Sequence, residues 1–360
     1  MQSNSTGYKL IKIGSIVLIL YVLIGGLFLP LKTGITGVSN GQLKSNEPQT
    51  FSVDLYNPGS GFVAEKVILK HKNLVFQSQE NQYNEVGYLN SKINVVLGDT
   101  QHSQLFDVFV FGSSSVSPKQ WMYFPDAVWV EKSISDTGVS NKIELSNLTS
   151  LVKQDVQSGF PNRPILNESI RNLLYHVPMW FSMMFLLLLS VIYAIKYLMK
   201  NQLKDDLWSE SFIKIAILNG ILGCVTGSSW ASITWESWWP SDDPKLNGVA
   251  IGMFMYLAYL ILRTSLKDPY QRARISSVYA ILIYPIFMAL IAIMPKLSAD
   301  TLHPGSGGTV GFNKYDLDNT LRLFFYPAVI GWILFFIWIS ILRYRFETLK
   351  NIQIEREDNE

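Results

Sequence analysis

A cluster of tryptophans is the feature of this sequence whose residue types most strongly indicate a chemical role. Residues 227–245, here called the tryptophan segment, are a polar stretch between two apolar ones, and their tryptophans are Trp230, Trp235, Trp238 and Trp239. Tryptophan also anchors proteins at the lipid–water interface. So dense a cluster, followed by Asp242 and Asp243, is typical of a floor for a large flat ligand.

The spacing within the tryptophan segment suggests a local structure. If the segment forms a short helix, Trp235, Trp238 and Trp239 occupy positions i, i+3 and i+4 and share one face. The carboxylates of Asp242 and Asp243 then either orient tryptophan N–H groups or cap the helix that begins near residue 244.

Two histidines on either side of this segment are the candidate metal ligands. His176 stands where an apolar stretch begins, and His303 lies in a glycine-rich segment between two others. Each alone is more typical of an interfacial or solvated side chain. Two neutral imidazoles, however, are good axial ligands for haem iron, and aromatic rings cover the macrocycle well. The combination predicts a haem site, with both histidines on the iron and the tryptophan segment against the ring.

The elements that must position these residues are membrane helices. The chain is 48% hydrophobic and only 16% charged, against roughly 25% charged in soluble domains. Crossing a bilayer takes about 20 mostly apolar residues. Six stretches qualify: Ile11–Leu29, Val177–Leu198, Phe212–Ser229, Gly248–Leu262, Ser276–Met294 and Leu323–Leu342.

The distribution of basic residues predicts the orientation of these spans, because cytoplasmic ends are rich in Lys and Arg. One set of ends carries Lys9 and Lys12; Lys196, Lys200 and Lys204; Arg263, Lys267, Arg272 and Arg274; and Arg343, Arg345 and Lys350. The other set carries Lys245, Lys296, Lys314 and Arg322. Both termini are therefore predicted to be cytoplasmic, and the tryptophan segment, His176 and His303 to face outward.

Residues 32–163 differ in character from the spans. Short alternating or β-branched stretches are separated by turn-forming clusters, and the stretches are Phe51–Leu55, Lys66–Lys70, Ile93–Leu97, Leu105–Phe111 and Trp121–Val130. His71 and His102 fall among them as predicted surface residues.

The predicted fold is a mainly α-helical polytopic membrane protein with six transmembrane helices and an outer β-rich, sandwich-like domain between the first and second helices. Its predicted parts are an anchor (1–31), the β-rich domain (32–163), a five-helix domain (164–345) and a cytoplasmic tail (346–360).

Composition excludes some functions. The net charge of +2 gives no reason to expect a nucleic-acid partner. One cysteine, Cys224, rules out thiol–disulfide exchange by this chain alone.

The site residues resemble the haem-handling (WWD-domain) membrane proteins of cytochrome c maturation, in particular the branch of cytochrome c maturation protein C. The resemblance covers the first span and residues 164–345. The matching pieces are Gly227-Ser228-x-Trp230, Trp235-x-x-Trp238-Trp239, either Asp242 or Asp243, His176-Val177-Pro178 and Leu302-His303-Pro304-Gly305.

This resemblance implies a bacterial inner-membrane protein that binds haem b and delivers it to a periplasmic haem chaperone. It also implies ABC transporter subunits as partners, surrounding membrane lipid, and a periplasmic location for the β-rich domain. The activity would be a lyase-like haem transfer without a set of catalytic residues in this chain.

Alternative functions stay open. A cytochrome c synthetase subunit would attach haem directly, but relatives of that kind usually have histidines inside their spans, and none lies inside a span here. A non-haem scaffold or receptor would use the tryptophans as anchors. A proton- or ion-coupled transporter is disfavoured because the predicted spans carry almost no ionisable residues beyond Lys214.

Overall fold

The structure, a computed structural model, describes residues 6–84, 87–97, 102–115, 118–132, 159–160, 162, 166–294 and 319–357. Clustering of contacts divides the chain into two compact units. One contains residues 1–28 and 171–360, and the other contains residues 29–170.

In the described part of the first unit there are six α-helices: α1 (Thr6–Phe28), α2 (His176–Lys200), α3 (Leu203–Thr234), α4 (Pro244–Ser265), α5 (Pro269–Met288) and α6 (Asn319–Glu357). A 3₁₀ helix, Asn167–Leu174, precedes α2, and a π-helical turn, Ala289–Ile293, extends α5. All six helical regions are long and apolar enough to cross a membrane, which confirms the prediction of six spans. The last helix continues through most of the predicted tail.

The helices pack through small residues. Helices α2 and α3 run antiparallel, so that Ser190 lies 3.3 Å from Ser209 and Lys196 pairs with Asp205 at 2.9 Å. Helix α1 packs on α6, where the rings of Tyr21 and Phe324 stack at 5.6 Å. Small side chains at such contacts let helix backbones approach closely where lipid is as apolar as the interface.

The predicted spans stop short of an ion network at the start of α3 and the end of α4. Helix α3 begins at Leu203, ahead of the apolar stretch, and its first turns carry Asp206 and Glu210. Both carboxylates pair with Arg263 near the end of α4. Hydropathy alone missed this part of α3 because its charges are neutralised by a residue far away in the sequence.

The second unit is a β-sandwich. Its strands are β1 (Gly34–Ser39), β2 (Gln42–Lys44), β3 (Pro48–Tyr56), β4 (Val63–His71), β5 (Leu74–Gln77), β6 (Glu80–Tyr83), β7 (Tyr88–Asn94), β8 (Gln104–Ser113) and β9 (Gln120–Glu131). One sheet has the order β1-β3-β7-β6 and the other β2-β9-β8-β4-β5. Alternate residues of both sheets, such as Phe51, Val53, Leu69 and Phe106, enclose one apolar core.

Four of the five predicted strands lie within observed ones, and one is displaced. Strand β7 ends at Asn94, so most of the predicted strand Ile93–Leu97 follows it. The backbone of Val95 and Leu97 instead bonds to the turn at residues 45 and 46. Nδ1 of His71 donates to the Leu105 carbonyl at 2.7 Å, and His102 is exposed.

Candidate functional site

His176 is the first residue of α2 and lies against α3. Its Nδ1 is 3.0 Å from the carbonyl oxygen of Gly223 and 3.3 Å from Oγ1 of Thr226. The side chain of Asn172, in the preceding 3₁₀ helix, donates to the Thr226 carbonyl at 3.2 Å. The 3₁₀ helix before α2 and the first residue of α2 are therefore both hydrogen-bonded to the same turn of α3.

Two glycines make this close contact possible. A Cβ on Gly227 would lie 2.6 Å from Cε1 of His176, and a Cβ on Gly223 would lie 2.8 Å from the ring of Trp180. The rings of His176 and Trp180 are one helical turn apart and meet edge to face, with centroids 6.3 Å apart. The imidazole thus occupies space that a side chain on α3 would otherwise fill.

The tryptophan segment begins on the same helix at Gly227, and its first tryptophan follows about one turn later. Trp230 lies on α3, and its ring meets that of Trp235 edge to face at 5.0 Å. The interpretation of Trp235, Trp238 and Trp239 as one helical face is wrong, because α3 ends at Thr234 and Glu236 has a left-handed φ of 55°.

The two tryptophans that follow have different surroundings. Trp238 is 66% exposed, whereas Trp239 is partly buried against the apolar core of the helical unit. The indole ring of Trp238 is therefore exposed, whereas the ring of Trp239 packs inward. Trp230, Trp235 and Trp238, at or just beyond the end of α3, are here called the aromatic rim, and of these three only Trp238 is exposed.

Asp243 has a structural role that the sequence left undecided. Its Oδ1 accepts from the backbone N–H of Lys245 at 2.9 Å and of Leu246 at 3.2 Å. It therefore caps α4, with Pro244 in the first turn, where proline needs no hydrogen-bond partner. Asp243 is 2% exposed, while Asp242 is exposed.

The second predicted ligand, His303, lies outside the described residues. In the described part of the chain, no group of three or more His, Cys, Asp or Glu side chains is placed to hold a metal ion. A haem iron held by two axial imidazoles needs no such group. The donor chemistry of His176 and the aromatic rim beyond Gly227 both suit a haem.

Sequence reasoning missed the ion network at the opposite end of α3 and α4. Arg263 makes paired hydrogen bonds to Asp206 of 2.8 and 2.6 Å and contacts Glu210 at 3.0 Å. Glu210 also pairs with Lys214 at 2.6 Å. The spacing of Asp206 and Glu210, one turn apart, was the available signal.

Comparison with known proteins gives one family. Residues 156–358 match the family described as Heme exporter protein C. The matched range contains α2 to α6 and leaves α1 and the nine strands outside. Heme exporter protein C of Haemophilus influenzae is 27% identical over 141 residues, which are 38% of this chain and 54% of that relative. The chain thus spans about half the length of this relative.

Proposed function

This chain belongs to the heme exporter protein C family, and we propose that it binds haem b at the outer face of the bacterial inner membrane and delivers it to a periplasmic haem chaperone. The step would serve cytochrome c maturation, with ABC transporter subunits as further partners. The observation that carries the proposal is the position of His176, whose ring packs on α3 one turn before Trp230.

The connections of the helices support a site at this end of the unit. Helix α5 ends beside the start of α4, since a Cβ on Gly248 would meet the Leu290 carbonyl at 2.7 Å. Near the start of α6, the ring of Phe324 lies where a Cβ on Gly25 of α1 would be, and Leu174, two residues before His176, lies where a Cβ on the adjacent Gly26 would be. The described helix ends on either side of residues 295–318, which include His303, therefore lie at the same end of the unit as His176.

The charge distribution supports an outer location for this end. The opposite helix ends carry most of the basic residues that border the spans, and such ends face the cytoplasm. Lys12, Lys196 and Arg343 are examples. On this orientation both termini are cytoplasmic and the β-sandwich is periplasmic.

In the proposed mechanism the chain positions its cargo and leaves the reactivity to it. Haem supplies the vinyl group that a chaperone captures. His176 and His303 would bind the iron, the rings of Trp230, Trp235 and Trp238 would cover apolar parts of the macrocycle, and the exposed Asp242 would lie close to them. Asp243 fixes the start of α4, and Trp239 secures the segment to the helical core.

Absorption spectroscopy of the detergent-purified protein, with and without added haem, tests the proposal. We expect a Soret band with the α and β bands of six-coordinate haem. The bands should be lost or shifted in His176→Ala and His303→Ala, and unchanged in the matched controls His71→Ala and His102→Ala. A colourless wild type in excess haem would refute haem binding and favour a scaffold with tryptophan anchors. Equal haem content in all four variants would refute the ligand assignment.

A further inference from the structure

The contacts of His176 determine which of its ring nitrogens carries the hydrogen. The Gly223 carbonyl, 3.0 Å from Nδ1, can only accept a hydrogen bond. The Thr226 hydroxyl, 3.3 Å from Nδ1, directs its single hydrogen at the Leu222 carbonyl, 2.8 Å away. Both neighbours of Nδ1 are therefore acceptors, and Nδ1 must be the donor.

A neutral imidazole has one N–H and one nitrogen with an in-plane lone pair. With Nδ1 as the donor, the lone pair that can bind a metal is on Nε2. The direction of the ring is set by the absence of a side chain at Gly227, because a Cβ there would meet both Cε1 and Nδ1, at 2.6 and 3.1 Å.

We propose that the turn Gly223–Gly227 of α3 is a positioning site that holds His176 as the Nδ1–H tautomer and thereby presents Nε2 to the haem iron. Gly227 and Thr226 are its positioning residues, and the Gly223 carbonyl is the acceptor. The role of Nε2 rests on the proposed function, whereas the tautomer and its cause do not. Partners that orient a metal-binding histidine in this way typically change metal affinity about 10- to 100-fold when altered.

The first measurement needs no haem. The chain has four histidines, so solid-state ¹⁵N NMR of protein labelled at histidine, in lipid bilayers, gives few signals, and His176→Gln identifies the one from His176. We expect a protonated Nδ1 and an unprotonated Nε2 in the wild type. In Gly227→Ala the ring is displaced from the Gly223 carbonyl, and the Nε2–H tautomer should become populated.

The second measurement is a haem titration followed by the Soret band. Gly227→Ala should weaken haem binding by about 10- to 100-fold, and Thr226→Val, which removes only the longer contact, should have a smaller effect. Gly220→Ala is the matched control. It also adds one methyl group to the face of α3 that packs on α2, but the methyl meets the flexible side chains of Met253 and Met183. It should keep the Nδ1–H signal and bind haem nearly as the wild type does.

Three results would overturn the proposal. The first is an Nε2–H tautomer in the wild type, and the second is a Gly227→Ala spectrum identical to that of the wild type. The third is an equal change in Gly220→Ala, which would assign the effect to general packing. If the expected tautomer is found but the wild type binds no haem, the role of Nε2 fails together with the proposed function, and the tautomer assignment is supported.

Discussion

The buried ion network between α3 and α4 allows a quantitative prediction for Arg263→Met. Arg263 and Asp206 are each 5% exposed and are joined by two short hydrogen bonds. Removing the guanidinium leaves Asp206 without this partner, while Glu210 keeps Lys214. Breaking a buried pair from one side costs roughly 3–5 kcal/mol. We expect Arg263→Met to lower the free energy of unfolding by about that amount.

Replacing Asp206 should lower the free energy of unfolding by less than replacing Arg263 does. In Asp206→Asn the guanidinium keeps Glu210, 3.0 Å away, so the loss should be about 2 kcal/mol, as for a hydrogen bond to a charged group. The double variant Asp206→Leu/Arg263→Met removes both charges together. Apolar replacement of a buried pair is often neutral or stabilising, so the double variant should be more stable than Arg263→Met alone.

Unfolding in mixed detergent micelles, followed by circular dichroism, measures these differences. Glu347→Gln is the control, because it breaks a partly exposed i,i+4 pair with Arg343 and should cost only about 0.5 kcal/mol. The reasoning is refuted if Arg263→Met is no more costly than this control. It is also refuted if the costs of Arg263→Met and of Asp206→Leu, each measured alone, simply add in the double variant, because contacting residues should couple.

The effect of Arg263→Met should be confined to stability. Helix α4 is 22 residues long, which corresponds to about 33 Å at 1.5 Å per residue. Arg263 lies near its last turn and Asp243 caps its first. We therefore expect the folded variant to bind haem as the wild type does, and a weakened Soret band in folded protein would show that the network is coupled to the site.

Two further predictions concern the tryptophan segment. Asp243→Ala should cost about 1 kcal/mol, as helix caps do, whereas Asp242→Ala should leave the unfolding midpoint unchanged; equal midpoints would contradict the capping role. Trp238→Leu should weaken haem binding at unchanged stability, because the ring is 66% exposed. Trp239→Leu should lower the unfolding midpoint, because its ring packs on the core, and the opposite order in the two assays would contradict these roles.

The apolar helices were predictable because each has a long run of apolar residues, and that signal is local. The start of α3 was not, since Asp206 and Arg263 are far apart in the sequence and a hydropathy window counts each as an unpaired charge. The displaced strand has a similar cause. Val95 and Leu97 are buried like strand residues, but their backbone partners come from the turn at Ser45.

The residue types at the candidate site were predictable, but their arrangement was not. The spacing of Trp235, Trp238 and Trp239 fits a helix, yet the left-handed backbone at Glu236 prevents one. Such a helix end depends on how α3 and α4 are joined, which spacing does not encode. The contact of His176 with Gly227 joins two helices and has no local signature either.

The position of His176 depends on the register between α2 and α3. Apolar contacts alone set this register weakly, because lipid offers the same apolar surroundings as a neighbouring helix. Glycines at positions 223 and 227 bring the two helices close together. Close packing alone does not prevent α2 from sliding along α3. The polar contacts Ser190–Ser209 and Lys196–Asp205 lie farther along the same interface. Since one residue of slippage would turn the contact face by about 100°, these distant contacts help to keep the imidazole over Gly227.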